Sequence, residues 1–182
     1  GGQIINVCTL SIEAIDVGIL GGRITFDATD AKIILELDGT YISPGFIDAH
    51  MHVESTMLPP SSFAKLALPH GTTSAIFDPH EIANVLGIPG ITLIMDDAKN
   101  IPFDAFFAAS SCVPASPLET SGATLLSDDL EPLFEDERVV ALAEMMNYPG
   151  VIRNDPEVLK KIQMGLRHGI VDGHCPGLRG KD

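Results

Sequence analysis

Apolar, strand-like runs recur about every 30 residues through most of the chain, which is the length of one βα unit. A helical pattern follows each of the first four runs, and this alternation predicts a parallel α/β fold. The predicted strands are Tyr41–His50, Thr73–Asp78, Ala105–Ser110, Val139–Met145 and Ile170–His174. The predicted helices are Ser61–Leu68, Ile91–Lys99, Asp128–Asp136 and Asp155–Arg167.

The number of units limits the kind of parallel fold. A closed (β/α)8 barrel needs eight strands and typically about 250 residues, whereas this chain of 182 residues offers five strands. We therefore predict the N-terminal part of a (β/α)8 TIM-type barrel, about five strands long, over residues 44–182. An open doubly wound sheet is the alternative, but such sheets bind ligands beside a glycine-rich phosphate loop, and we find no convincing one.

The residues before this region have a different pattern. Short strand-like runs are separated there by Gly and Asp, and we predict a small β unit over residues 1–43. The runs are Ile4–Leu10, Ile15–Leu20, Arg23–Phe26 and Lys32–Leu37. Because the chain lacks an initial Met and ends on a loop-like Gly-Lys-Asp, we expect a piece of a longer protein.

The amino-acid composition limits the classes of molecule that the protein can bind. A formal charge of −14 and a hydrophobic content of 45% permit a packed core but provide no basic surface for nucleic acid or an anionic membrane. The sequence has no apolar run of membrane-spanning length and no secretory signal. Three widely spaced cysteines do not indicate a disulfide framework. We expect a cytoplasmic homo-oligomer that acts on a small molecule.

Two histidines close the first predicted barrel strand. His50 and His52 are two residues apart, so in an extended strand their side chains lie on the same face, with Asp48 one pleat earlier. A His-x-His pair at the end of a buried strand is a candidate metal site, because α/β barrels place their chemistry at the carboxyl ends of the strands. A solvated pair with no ligand role is the alternative.

Polar residues follow the other predicted strands in the same way. Glu144 lies in an apolar strand, where an unpaired carboxylate is costly to bury. A metal ion held by His50, His52 and His174 would compensate its charge, and a salt bridge to Lys or Arg is the alternative. The remaining polar residues near the strand ends are Glu54, Asp78, His80, Glu81, Ser110, Ser111, Cys112 and Asn147.

The run Pro-Gly-Phe-Ile-Asp-Ala-His-Met-His-Val-Glu-Ser-Thr-Met from Pro44 resembles the first strand of the metal-dependent amidohydrolase superfamily. Further stretches resemble the bacterial and archaeal adenine deaminases within it, and together they cover nearly the whole chain. They are Leu-Pro-His-Gly-Thr-Thr from Leu68, Asp-Pro-His-Glu-Ile-Ala-Asn-Val-Leu-Gly from Asp78, Ser-Cys-Val-Pro-Ala-Ser-Pro from Ser111, Glu-Thr-Ser-Gly-Ala from Glu119, Ala-Glu-Met-Met-Asn from Ala143 and Asp-Gly-His-Cys-Pro-Gly from Asp172.

The resemblance implies hydrolysis of adenine to hypoxanthine and ammonia in purine salvage. It also implies a (β/α)8 barrel with a β-sandwich built from both chain ends, to which residues 1–43 would contribute a β-sandwich segment. The resemblance further implies a binuclear metal centre, with His50, His52 and His174 as ligands and Glu144 bridging the two ions. Manganese or iron is the expected metal, and zinc is possible, because nitrogen and oxygen ligands suit all three. The superfamily's sixth-strand histidine and eighth-strand aspartate have no counterpart in this chain, so we expect it to be inactive alone.

Four further residues are candidates for contact with the substrate. His80 and Glu81 are candidate catalytic residues for proton transfer, and the alternative is that they turn the chain and begin the next helix. Glu119 and Ser121 are candidates for binding the purine, with ordinary helix capping as the alternative.

Two other functions stay open at the level of sequence. One is a different amidohydrolase reaction, such as a dihydroorotase-like cyclic amidase or an acetylglucosamine-phosphate deacetylase, although many of those relatives have lysine where this chain has Glu144. The other is a noncatalytic, truncated half barrel that pairs through its open sheet edge.

Overall fold

The computed structural model describes residues 1–116 and 118–180 of the chain, which divides into two compact units, Gly1–Gly45 and Phe46–Asp182. The first unit contains a three-stranded sheet of order β2-β1-β5 and a two-stranded hairpin of β3 and β4. Gly21 and Gly22 form the hairpin turn with φ of 57° and 76°, which glycine adopts without strain. The strands are β1 (Gln3–Asn6), β2 (Ser11–Glu13), β3 (Gly18–Leu20), β4 (Arg23–Thr25) and β5 (Tyr41–Ile42).

Two predictions for this region are wrong. The run Lys32–Leu37 forms no strand, and its residues Ile33, Ile34 and Leu35 are exposed. Tyr41 does not begin the first barrel strand, because β5 pairs in parallel with β1. The β-sandwich assignment over residues 1–43 stays a prediction.

The second unit is built on a five-stranded parallel sheet of order β10-β9-β8-β7-β6. Neighbours in the sheet are therefore neighbours in sequence, as in consecutive strands of a (β/α)8 barrel. This confirms the predicted α/β fold and half-barrel sheet. The strands are β6 (Phe46–Met51), β7 (Thr72–Phe77), β8 (Asp104–Ala109), β9 (Val139–Met145) and β10 (Ile170–Gly173).

Helices connect the strands and cover one face of the sheet. Phe77 of β7 and Phe107 of β8 are both 1% exposed or less and lie in contact, with ring centroids 5.8 Å apart. Ile91 and Met164, from two of the helices, complete this core. The helices are α1 (Pro60–Ala67), α2 (His80–Leu86), α3 (Ile88–Asp97), α4 (Ser127–Leu130), α5 (Tyr148–Ile152) and α6 (Pro156–His168), and short 3-10 turns cover Val53–Thr56, Leu68–His70 and Glu131–Glu135.

The predicted helix Asp128–Asp136 is shorter than expected. It is helical as α4 only to Leu130 and continues as a 3-10 turn over Glu131–Glu135. Pro132 explains the break, since its ring removes a backbone donor that an α-helix would use. Helix α2 begins at His80, as the alternative interpretation of His80 and Glu81 expects, and α5 is not among the predicted helices. With seven and five residues, both are shorter than the window of about 11 residues in which helical periodicity is recognised.

Candidate metal centre

The predicted metal ligands come from three strands of the half barrel. His50 lies in β6 and His52 directly follows it, Glu144 lies near the end of β9, and His174 directly follows β10. The strands are parallel, so their carboxyl ends lie at the same rim of the sheet. The fold therefore brings together four residues that are separated by up to about 120 positions in sequence.

Glu144 is the centre of the cluster. Its Oε1 lies 2.9 Å from His52 Nε2 and 3.4 Å from His50 Nε2. Its other oxygen, Oε2, lies 2.6 Å from His174 Nδ1. The Glu144 side chain is 11% exposed and that of His174 is 53% exposed, so the cluster has a buried base and an open side. No lysine or arginine forms a salt bridge with Glu144 among residues 1–116 and 118–180.

The outer nitrogens of the first two histidines fix the orientation of both rings. His52 Nδ1 lies 2.8 Å from the carbonyl oxygen of Asp78, which can only accept a hydrogen bond. His50 Nδ1 lies 2.9 Å from the Asp172 carboxylate. His52 Nδ1 therefore donates, the Asp172 carboxylate holds the His50 ring as an opposite charge in contact, and each Nε2 is turned toward Glu144. Histidine ligands of metal ions commonly show this pattern, in which the second nitrogen donates to a carbonyl or a carboxylate.

This orientation tests whether the residues fit a metal. With the proton on Nδ1, a neutral imidazole presents a lone pair at Nε2, and that lone pair faces a negatively charged oxygen. The arrangement is stable only with a positive charge between the two atoms, supplied by a second proton or by a cation. Ligand atoms of His50, His52, Asp78 and Glu144 all lie within 4.8 Å of one another. The donor set of imidazole nitrogen and carboxylate oxygen fits a divalent metal ion.

The pKa shifts have the directions expected for opposite charges in contact. Burial alone would raise the pKa of Glu144, but the hydrogen bond from His52 and the charges of His50 and His174 lower it below 4.5. Burial alone would lower the pKa of His52, but its bond to the Asp78 carbonyl and the charges of Asp78 and Glu81 raise it above 6.5. Without metal, these shifts favour the protonated form of His52 and the ionised form of Glu144.

His80, a predicted catalytic residue, lies beside this cluster in a closed network. Its ring is 6.3 Å from that of His52, centroid to centroid, and the residue is 7% exposed. Nδ1 lies 2.7 Å from Asp78 Oδ2, and Nε2 lies 2.9 Å from the Cys112 carbonyl. Burial opposes protonation of His80, but the bond to Asp78 and the Asp78 charge raise its pKa. Both ring nitrogens are therefore occupied by protein oxygens.

Glu81, the second predicted catalytic residue, is exposed at the start of α2 and accepts a hydrogen bond from Ser55 Oγ. Near it, Glu54 accepts from the Ile82 backbone at 3.2 Å, and burial raises the Glu54 pKa. These contacts join the turn after β6 to the first turn of α2. Glu81 lies close enough to raise the pKa of His52 and that of Glu54 through its charge.

The predicted substrate residues make local contacts in the loop after β8. Glu119 Oε1 accepts from the Ser116 backbone at 3.0 Å, and Ser121 Oγ donates to the Ala123 carbonyl at 2.6 Å. The described contacts do not join either residue to the Glu144 cluster. Their role in binding a purine stays a prediction.

Two residues that orient the cluster are not evident as such from the sequence. Asp78 stands among the polar residues near the strand ends, but its spacing alone gives it no role at the metal. Asp172 lies within a short strand, two residues before His174, and its spacing does not distinguish it either. Its position in a strand is the one useful signal in the sequence. An Asp172 side chain near the carboxyl rim can point toward the first barrel strand, where His50 lies.

None of the helices in the described part of the chain is both long and apolar enough to cross a membrane.

The chain is similar in sequence to known proteins named adenine deaminase. It is 48% identical over 182 residues to the adenine deaminase of Desulfatibacillum aliphaticivorans, covering 99% of this chain and 32% of the relative. It is 47% identical over 182 residues to the adenine deaminase of Clostridium acetobutylicum, with the same two coverages. Identity to the adenine deaminase of a Sulfurovum species is 55% over 144 residues, or 79% of this chain and 27% of the relative. The chain thus spans about a third of the length of these relatives.

The family model described as "Amidohydrolase family" matches residues 41–180, a range that contains all four predicted ligands and every strand of the half barrel. The predicted resemblance to this group is therefore confirmed, and the chain belongs to the amidohydrolase family.

Proposed function

We propose that the protein carrying this chain hydrolyses adenine to hypoxanthine and ammonia at a divalent metal centre. The observation that carries the proposal is the orientation of His50 and His52, whose Nε2 atoms both face the buried oxygen of Glu144. Relatives named adenine deaminase match this chain over nearly its whole length. Because the chain spans only a third of those relatives, the activity is proposed for the whole protein.

The residues proposed to hold the metal are His50, His52, His174 and Glu144. The two oxygens of Glu144 face different histidines, and this division supports a carboxylate that bridges two ions. We propose manganese or iron at the centre, and zinc also fits the ligand set. When bound, the metal lowers the pKa of water so that a hydroxide nucleophile is available near neutral pH.

The neighbouring residues fix the ligands in place. The Asp78 carbonyl accepts from His52 Nδ1, and the Asp172 carboxylate lies 2.9 Å from His50 Nδ1, so both Nε2 atoms are directed at the centre. His174 directly follows β10, the edge strand of the described sheet, and is the most exposed of the three histidines.

Hydrolytic deamination also requires proton transfer to the purine ring and to the departing amine. We propose that Glu81 serves this step, because its carboxylate is exposed beside the cluster and held by Ser55. His80 is buried, with both nitrogens bonded, so we propose that it orients Asp78 and the Cys112 backbone. Glu119 and Ser121 are proposed to contact the purine edge from the loop after β8.

Several finer expectations belong to the same proposal. The enzyme would serve purine salvage in the cytoplasm and would form a homo-oligomer. Its chain would be organised as a β-sandwich segment over residues 1–43 and a barrel part over residues 44–182. Residues 117, 181 and 182 of that part lie outside the described residues.

Hydrolysis assays of the full-length, manganese-loaded protein test the proposal. Ammonia release measures deamination of adenine, ring opening to a carbamoyl amino acid measures hydrolysis of dihydroorotate, and acetate release measures deacetylation. The substrates to compare are adenine, dihydroorotate and N-acetylglucosamine 6-phosphate, with His50→Ala as the inactive variant and His70→Ala as the matched control. We expect turnover of adenine alone, lost in His50→Ala and kept in His70→Ala. Turnover of a cyclic amide or an acetylated sugar without adenine turnover would contradict the proposed substrate.

A further inference from the structure

Lys161 is a buried cation that the proposed reaction does not use. It lies in α6, is 8% exposed, and donates through Nζ to the carbonyl oxygens of Ser111 at 2.8 Å and Leu125 at 2.6 Å. In the described part of the chain it forms no salt bridge with a carboxylate. Burying an ammonium group with only two neutral acceptors is costly, so the contacts call for an explanation beyond helix stability.

The packing of α6 explains why this lysine points inward. Val158, Lys161 and Gly165 lie on one stripe of the helix, at spacings of three and four residues, and all are buried. A Cβ atom at Gly165 would lie 2.6 Å from Leu142 Cβ, so the helix approaches β9 too closely for any larger residue. The side chain of Lys161 therefore extends along the sheet toward its carboxyl rim.

The carbonyl groups that Lys161 holds belong to the two ends of the loop after β8. Ser111 begins this loop and Leu125 ends it, and the Leu125 amide also donates to the Val113 carbonyl at 2.9 Å. One ammonium group thus ties both ends of the loop to α6.

Ser111 and its neighbour also contact the candidate metal centre. The Ser111 hydroxyl donates to the backbone carbonyl of Glu144 at 2.6 Å, and the Cys112 carbonyl accepts from His80 Nε2 at 2.9 Å. The chain of contacts therefore runs from Lys161 through Ser111 to the residue that carries the central carboxylate. A second branch runs through Cys112 to His80.

We infer that Lys161 is a positioning residue for the metal centre, which it serves by fixing the backbone of Ser111 and, through it, that of Glu144. The inference rests on the proposed function, since it assumes that Glu144 binds the ion. Lys161 would act by positioning alone. Without it the Ser111 and Glu144 backbone would loosen, and the Glu144 carboxylate would no longer lie at the observed distances from His50 and His52.

The test compares variants of the full-length protein by calorimetric titration with Mn²⁺ and by amide hydrogen exchange of the metal-free form. Lys161→Met keeps the length of the side chain and removes its donors. We expect its Kd for Mn²⁺ to rise about tenfold, as for loss of other outer-layer contacts at metal sites. We also expect faster exchange of the Leu125 amide, which donates to the Val113 carbonyl.

Two controls separate positioning from general stability. Lys160→Met removes the adjacent, exposed lysine, which pairs with Asp128 at 2.7 Å, and should leave the Kd within about twofold of wild type. Val158→Ala removes a buried contact on the same helix stripe without touching Ser111. It should lower thermal stability while leaving the Kd within about twofold.

Ser111→Ala provides a second route if Lys161→Met does not fold. It removes the hydroxyl that reaches Glu144, and we expect its Kd for Mn²⁺ to rise by a similar factor of about ten. Unchanged Mn²⁺ affinity in the folded variants, or an equal loss in Val158→Ala, would overturn the inference. Wild-type protein that binds Mn²⁺ without releasing ammonia from adenine would instead refute the proposed substrate and leave the inference standing.

Discussion

Replacement of Glu144 by glutamine tests the carboxylate on which the metal centre depends. Glutamine has nearly the same size, but it is neutral and presents an NH₂ group in place of one oxygen. Three imidazole nitrogens lie within 3.4 Å of the Glu144 oxygens, so all three contacts lose a charged partner. The ion loses the same negative charge.

The expected loss can be worked from these contacts. Loss of a residue that only orients a metal ligand typically costs about 10- to 100-fold in metal affinity. Glu144 is proposed as a ligand itself and contacts all three histidines, so its replacement should cost at least the upper figure, about 2.8 kcal/mol. Since 1.4 kcal/mol is a factor of ten, the Kd for Mn²⁺ should rise by roughly 100-fold.

Calorimetric titration of the full-length protein with Mn²⁺ measures this change. Glu131→Gln is the matched control, because the Glu131 carboxylate binds Arg167 at the surface, at 2.8 Å, and makes none of the described contacts with the histidine cluster. Its Kd should stay within about twofold of wild type. Tight Mn²⁺ binding by Glu144→Gln, equal to wild type, would refute the reasoning.

Three further outcomes follow from the structure. Phe77→Ala should lower the free energy of unfolding by about 3–5 kcal/mol, because Phe77 is fully buried among three other phenylalanine rings. Urea titration measures this change, and a loss below about 1 kcal/mol would contradict this packing. Asp172→Asn should raise the Kd for Mn²⁺ about tenfold, because His50 loses a charged partner. An unchanged Kd would show that Asp172 does not orient this ligand. Burial lowers the pKa of Lys161 below 10.5, so above that lowered pKa the unfolded chain binds more protons than the folded one. The stability of wild type relative to Lys161→Met should therefore increase as pH rises toward 10.5, and a difference that does not change with pH would argue against the buried ammonium.

The half barrel could be predicted where sequence pattern and tertiary environment agree. Strand β9 has the predicted bounds, Val139–Met145, because a continuous apolar run in a parallel sheet is buried on both faces. The run Lys32–Leu37 has a similar composition but remains exposed, because burial depends on a partner surface that a local pattern does not contain.

The candidate site could be predicted in part for a similar reason. His50 and His52 are two residues apart, so their common direction follows from the geometry of one strand. The orienting contacts of Asp78 and Asp172, and the inward direction of Lys161, depend on how different strands and helices meet. A periodic helix pattern assigns a lysine to the solvent side, so a buried lysine is missed unless the close approach at Gly165 is known.

We propose that His50, His52, His174 and Glu144 together hold the metal of an adenine-hydrolysing enzyme. Anomalous diffraction from crystals of the full-length, manganese-loaded protein locates the ion. We expect manganese bound by the Nε2 atoms of His50 and His52 and by the Glu144 carboxylate, with His174 as a further ligand. Manganese bound elsewhere, with these four side chains still paired to one another, would contradict it.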